Sequence, residues 1–306
     1  MNHIVECVPN FSEGRNKETI ERIAASIESV STVHVLDVHV DEDHNRTVVT
    51  FIAVPEQIVE ATVRAARVAR EAIDLRVHAG VHPRLGALDV LPFVPMAGVT
   101  VDDCVRHAHE AGERIAREVG VPIYFYGAAA RMAQRVKLED VRRGGFERLR
   151  DEAIANPFRA PDIEVEGVRG LHESAGAVLI GARKFLIAYN VNLRTRDVEI
   201  ARRIARSIRT SGGGLPALKA LGLELKERGC VQVSMNLVDY EQTSITEAFD
   251  AVRRLASEAG IEIIESEIVG LVPRDALDEK ADYFPTIRGF HRGMILENRI
   301  KLVDNG

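Results

Sequence analysis

A chain of 306 residues, 46% hydrophobic and 28% charged, can bury a substantial core and is long enough for two domains or one large one. Its formal charge of −6 and mean hydropathy of −0.05 describe a soluble globular protein without the strongly basic face that nucleic-acid binding needs. Cys7, Cys104 and Cys230 are odd in number, scattered and without Cys-x-x-Cys spacing, which argues against a disulfide framework or zinc ribbon and fits a reducing cytoplasm. The N-terminus opens on strand-like residues where a leader would carry a basic segment and an apolar run, and no stretch reaches the length of a membrane span.

In chain order, His3 to Val8 is β-rich and stops at Pro9. Asn16 to Ile27 follows with Ile20, Ile23, Ala24 and Ile27 at helical spacing. Val33–Val40 and Thr47–Val54 are β-branched runs separated by the acidic turn Asp41-Glu-Asp-His-Asn45, and Pro55–Ala72 returns to helical periodicity. The strand-like run Ala87–Pro95 completes β-α-β-β-α-β, the split-βαβ order of a ferredoxin-like unit. Thr100, followed by Asp102 and Asp103, caps a helix expected to reach Val119, after which Val121–Tyr126 reads as a short strand. Leu138–Ala155 reads as a charged helix, and 156–176, rich in proline and glycine, as irregular chain between two halves.

From Ala182 the order repeats: strand Lys184–Leu193, helix Asp197–Arg209, strands Ala217–Lys226 and Cys230–Leu237, helix Ile245–Ala259, strand Ile261–Val269. The expected class is therefore α+β, with two ferredoxin-like (βαββαβ) subdomains, residues 1–180 and 181–306, packed side by side around a substrate cleft.

Chemistry concentrates in His78-Ala-Gly-Val-His82-Pro83-Arg84-Leu85-Gly86. Gly80 and Gly86 allow irregular backbone, and Pro83 fixes its own φ and extends His82. Two imidazoles and a guanidinium thus lie on a loop before a buried strand, and histidine both takes and gives a proton near neutral pH. His78 and His82 also have the His-x-x-x-His spacing of a metal site, but that spacing converges on one ion when helical, and Gly80 and Pro83 argue against a helix. A metal-dependent hydrolase is the rival enzyme class.

That loop, taken with Val5-Glu-Cys-Val-Pro-Asn10-Phe-Ser-Glu-Gly14, His44-Asn45-Arg46-Thr47-Val48, Gly181-Ala-Arg183-Lys184-Phe185, Asn190-Val-Asn192-Leu193 and Gln232-Val-Ser234-Met-Asn236-Leu-Val-Asp239, resembles the formiminotransferase family. The six motifs stand in the family's order and extend to about Pro273. The resemblance implies a homodimer of two-subdomain chains that moves a formimino group between N-formimino-L-glutamate and tetrahydrofolate, in histidine degradation and one-carbon metabolism. Tetrahydrofolate would be a co-substrate, with no metal, nucleic acid or membrane involved. His82 stands at the family's catalytic histidine. Asn45 and Arg46 match as substrate-binding or site-shaping residues, and Arg169, Gly170, Leu171, His172, Glu173, Ser174, Ala175 and Gly176 correspond to its folate-binding stretch.

His78 would orient His82, bind substrate or cap the preceding helix. Arg84, Arg183 and Lys184 are candidates for the carboxylates of glutamate and of the folate tail, and arginine's planar fork suits that task. Arg183 and Lys184, read as opening a strand, would face opposite sides of it. In some family members a carboxylate stands where this chain has His39, which leaves Asp37 or Asp43 to partner His82. Asn190, Asn192, Gln232, Ser234 and Asn236 alternate along strands and either line a polar cleft or tie it internally. Three alternatives stand beside the main reading: a formyl transferase on N-formylglutamate, the His78/His82 hydrolase, and a non-catalytic folate-binding protein. The expected arrangement has no room after the second subdomain for the cyclodeaminase domain fused in some relatives.

Overall fold

The structure, a computed structural model, describes residues 3–42, 45–80 and 83–304. The chain is mixed α+β with two sheets, and its internal contacts divide it into one unit ending at Arg183 and another starting at Lys184.

The first unit comprises β1 (Val5–Cys7), β2 (Asn10–Phe11), α1 (Lys17–Glu28), β3 (Val33–Asp41), β4 (Arg46–Ala53), α2 (Pro55–Ala72), β5 (Leu88–Pro95), α3 (Val101–Arg114), β6 (Ile123–Gly127), α4 (Leu138–Val141), α5 (Gly145–Ala155) and β7 (Val178–Ala182). The sheet runs β3, β4, then β1 and β2 end to end, then β5, β7 and β6. Pairing is antiparallel as far as β5 and parallel from β5 through β7 to β6. The helix starts follow local chemistry. Asn16 caps α1 through the Thr19 N–H, Pro55 opens α2 where a missing N–H costs nothing, and Thr100 forms a reciprocal capping box with Asp103. Val49, Phe51 and Ala53 of β4 enter the same apolar core as Ile58, Val59 and Ala61 of α2. By the period of two, Val48, Thr50 and Ile52 occupy the opposite face.

Three expectations need correction. The apolar run 178–182, unassigned from sequence, is a strand inserted between β5 and β6. Parallel strands buried on both faces carry no alternation, so the periodic signal was absent. The helix expected over 138–155 breaks into α4 and α5, because Gly144 and Gly145 take left-handed backbone (φ 93° and 70°). Arg183 and Lys184 lie in the connection before β8, so the two-face argument does not apply to them.

The second unit comprises β8 (Ile187–Leu193), α6 (Val198–Ile208), β9 (Leu218–Leu225), β10 (Cys230–Leu237), α7 (Ile245–Glu258), β11 (Ile263–Val269) and α8 (Leu296–Asp304). Its antiparallel sheet has the order β11-β8-β10-β9. Tyr189, Val191, Val231, Val233 and Met235 pack with residues of α6 and α7. On the other face Gln232 donates to Asn192 (3.0 Å) and Asn192 to Glu265 (3.0 Å), while Asn190 reaches Glu267 (3.5 Å). Asn192 and Gln232 are buried and are thus internal ties, whereas Asn236 is exposed. Among the described residues no helix is long and apolar enough to cross a membrane.

Candidate active site

Between α2 and β5 the described residues are held by hydrogen bonds to the 174–177 backbone as well as by their own. The Leu75 N–H donates to the Ser174 carbonyl (2.8 Å), the Ala87 N–H to the Ala175 carbonyl (2.9 Å), and the Ala177 N–H to the Leu85 carbonyl (3.0 Å). These bonds stitch the expected folate-binding stretch directly to the expected catalytic loop. The approach is close enough to exclude side chains. A Cβ at Gly176 (φ 69°) would overlap the Leu85 carbonyl oxygen, and one at Gly86 would overlap that of Ala177. Gly176 therefore serves contact between two backbone segments.

Further ties come from the front of the chain. Ser12 Oγ donates to the Gly86 carbonyl (2.7 Å). Asn45 accepts from the Gly14 N–H (2.8 Å) and donates to the Ala79 carbonyl (3.1 Å), while its own carbonyl lies 3.1 Å from His78 Nε2. Asn45 holds φ 49°, a left-handed conformation that asparagine tolerates better than most residues. His82 lies outside the described residues, as do Asp43 and His44. What the structure does describe is the loop on either side of residues 81 and 82, anchored at both ends.

Phe11, Ser12, Asn45, Arg46, His78, Arg84 and Asp89 line a cavity of about 10 Å³. That volume holds about one water, so it is the packed root of the loop and no substrate pocket in itself. Arg84 Nη2 donates to the Leu75 and His78 carbonyls (3.2 Å each) and to Glu147 (2.9 Å). Burial holds the His78 imidazole below its usual pKa, which favours the neutral ring. It likewise pulls down the pKa of Arg46, with Asp41 opposing. Asp37 and His39 sit on β3 opposite Thr50 and Val48.

The rest of the folate stretch is mixed. Leu171, Ala175 and Gly176 are buried, while Arg169 and Glu173 are exposed. His172 Nδ1 accepts from the Ser174 and Ala175 N–H groups (3.3 and 3.1 Å), closing the turn, and Glu173 pairs with Arg76 (3.3 Å). Gly170 has φ 71° and packs near Ala153 and Ile154 of α5.

Arg183 is not at the cavity. Its N–H donates to the Phe93 carbonyl (3.1 Å), four residues beyond Asp89 along β5, and its guanidinium acts on Tyr126 and Glu6. Lys184 belongs to the second unit, where it pairs with Asp239 (2.9 Å) and Glu241 (3.0 Å). Among the described residues no cluster of three His, Cys, Asp or Glu could hold a metal.

Sequence reasoning missed the buried Asp89 and the half-buried Arg142, which form an ion pair at the root of the loop. A signal existed: Asp89 is the one charge inside the apolar run 87–95, and a lone buried carboxylate demands a partner.

The family model described as "Formiminotransferase domain, N-terminal subdomain" matches residues 4–183, and that described as "Formiminotransferase domain" matches residues 188–303. The chain is 45% identical to a protein from Thermoplasma acidophilum named "Glutamate formimidoyltransferase", over 99% of both chains. It is 41% identical to one of the same name from Streptococcus pyogenes, over 98% of this chain and 99% of that one. Against the "Formimidoyltransferase-cyclodeaminase" of Sus scrofa identity is 42%, over 99% of this chain and 57% of the longer protein. With both subdomain models matched in order and full-length identity above 40%, the chain belongs to the formiminotransferase family.

Proposed function

We propose that this protein is a glutamate formimidoyltransferase, an enzyme that transfers a formimino group between N-formimino-L-glutamate and tetrahydrofolate. The observation that carries this reading is 45% identity over 99% of both chains to a relative of that name. His82 acts as general acid–base: it takes a proton from the attacking folate amine as that nitrogen bonds the formimino carbon. It then returns the proton to the glutamate nitrogen as the tetrahedral adduct collapses. One group serves both half-steps.

Arg46 and Arg84, at the root of the loop, suit the glutamate carboxylates, and Arg183 suits the folate tail. Lys184 would have to leave Asp239 and Glu241 to bind an anion. The 169–176 stretch, bonded to the catalytic loop, carries the folate contact. Tetrahydrofolate is the co-substrate, and the reading includes no resident metal. It also includes a cytoplasmic homodimer and two ferredoxin-like subdomains, the first with the catalytic loop and the second starting after Arg183. The sheet order β11-β8-β10-β9 supports the latter.

The test offers N-formiminoglutamate and N-formylglutamate side by side with tetrahydrofolate to the purified chain. Turnover of the formimino compound is expected, and turnover of the formyl compound alone would refute the assignment. Size-exclusion chromatography with light scattering reads the dimer.

A further inference from the structure

The break that splits α4 from α5 delivers Arg142 to the C-terminal end of α4, where its N–H still bonds the Leu138 carbonyl (3.0 Å). From there its guanidinium reaches back to Asp89 at the start of β5. Asp89 is 3% exposed, and one oxygen accepts from the Leu85 N–H (2.8 Å) and the Gly86 N–H (3.3 Å). The other meets Arg142. The carboxylate thus holds two consecutive backbone amides immediately after Arg84, while lining the same small cavity as Arg46, His78 and Arg84. Burying such a pair costs desolvation that an apolar strand start would avoid. What the charge adds here is a hold on the Leu85 and Gly86 backbone where the loop joins β5.

We propose that Asp89 is a positioning residue for the transfer reaction, clamping the C-terminal root of the 78–86 loop, with Arg142 as its counter-charge. The proposal rests on the reading that His82 performs the proton transfer. Asp89 touches no substrate in this account. It acts by fixing where the loop enters β5, and misplacement of a reacting group by about 1 Å can cost up to ~100-fold in rate.

The experiment compares Asp89→Asn, His82→Ala and the double variant by steady-state kinetics, with circular dichroism confirming the fold of each. Asn keeps one oxygen for the Leu85 N–H and loses the charge Arg142 needs. For Asp89→Asn the expectation is a kcat lower by roughly 10- to 100-fold with KM within about 3-fold. In the double variant no further loss beyond His82→Ala is expected, because a clamp has nothing left to position. Wild-type kcat in Asp89→Asn, or losses that multiply in the double variant, would overturn the proposal and leave the His82 reading standing. Activity surviving His82→Ala would instead remove that reading, and this proposal with it. Should Asp89→Asn fail to fold, Arg142→Gln addresses the same contact. A kcat loss restored by Arg142→Lys supports the clamp, and unchanged kcat refutes it.

Discussion

Glu6 offers a direct test of how this chain handles a buried charge. It lies at the centre of β1, between Ile52 of β4 and Val94 of β5. Glu6 is 1% exposed, and neither carboxyl oxygen has a hydrogen-bond partner among the described residues. Burial pushes its pKa from the ordinary 4.5 up to about 7, against a smaller opposing pull from Arg183. Its folded pKa is raised, so its contribution to stability is fully present below pH 4.5, is lost as the pH climbs from 4.5 through 7, and falls no further above that. At ~1.4 kcal/mol for each tenfold change in a proton equilibrium, ionised Glu6 costs about 3 kcal/mol by pH 8. Glu6→Gln removes the titration while keeping the shape. Urea unfolding of both proteins at pH 5, 6, 7 and 8 measures the difference, which cancels every other titrating group. Wild type should lose roughly 2–3 kcal/mol relative to Glu6→Gln across that series, most of it below pH 7. The absolute offset is not the test, because a buried amide carries its own desolvation cost. A difference constant to within about 0.5 kcal/mol across the series would show that Glu6 is not a desolvated carboxyl and would refute the reasoning.

His82→Ala should reduce turnover by roughly two to four orders of magnitude while folate binding persists, and His78→Ala should cost less. Equal losses at the two positions would indicate a pair acting as a unit, or a shared metal. Gly176→Ala forces a left-handed alanine into the Leu85 carbonyl, so urea titration should show a loss of at least ~2 kcal/mol together with lost activity. Wild-type stability would mean the two loops are not in contact. Arg135 pairs with Asp162 at 2.8 Å with both side chains almost fully buried and also donates to the Phe158 and Ala160 carbonyls (3.1 and 2.6 Å). Arg135→Leu should therefore destabilise by about 3–5 kcal/mol. Thermal unfolding within a degree of wild type would contradict that.

Where a segment's conformation is settled by its own residues, the sequence by itself was enough. Asn16, Pro55 and Thr100 mark helix starts because capping and a missing N–H act within one turn. The alternation in β8 and β10 reports a face because each strand has one apolar side. The irregular backbone at 78–80 and 83–86 was legible for the same reason, since glycine and proline act on their own φ. Tertiary structure decided what depends on residues distant in the chain. It placed β7 between β5 and β6, where burial on both faces erases periodicity. It brought Arg142 to Asp89 across 53 positions, and it bonded the 174–177 backbone to the 75–87 loop, so that Gly176 answers to Leu85. A lone charge such as Asp89 marks one half of an interaction in the sequence, and only the fold determines which halves meet.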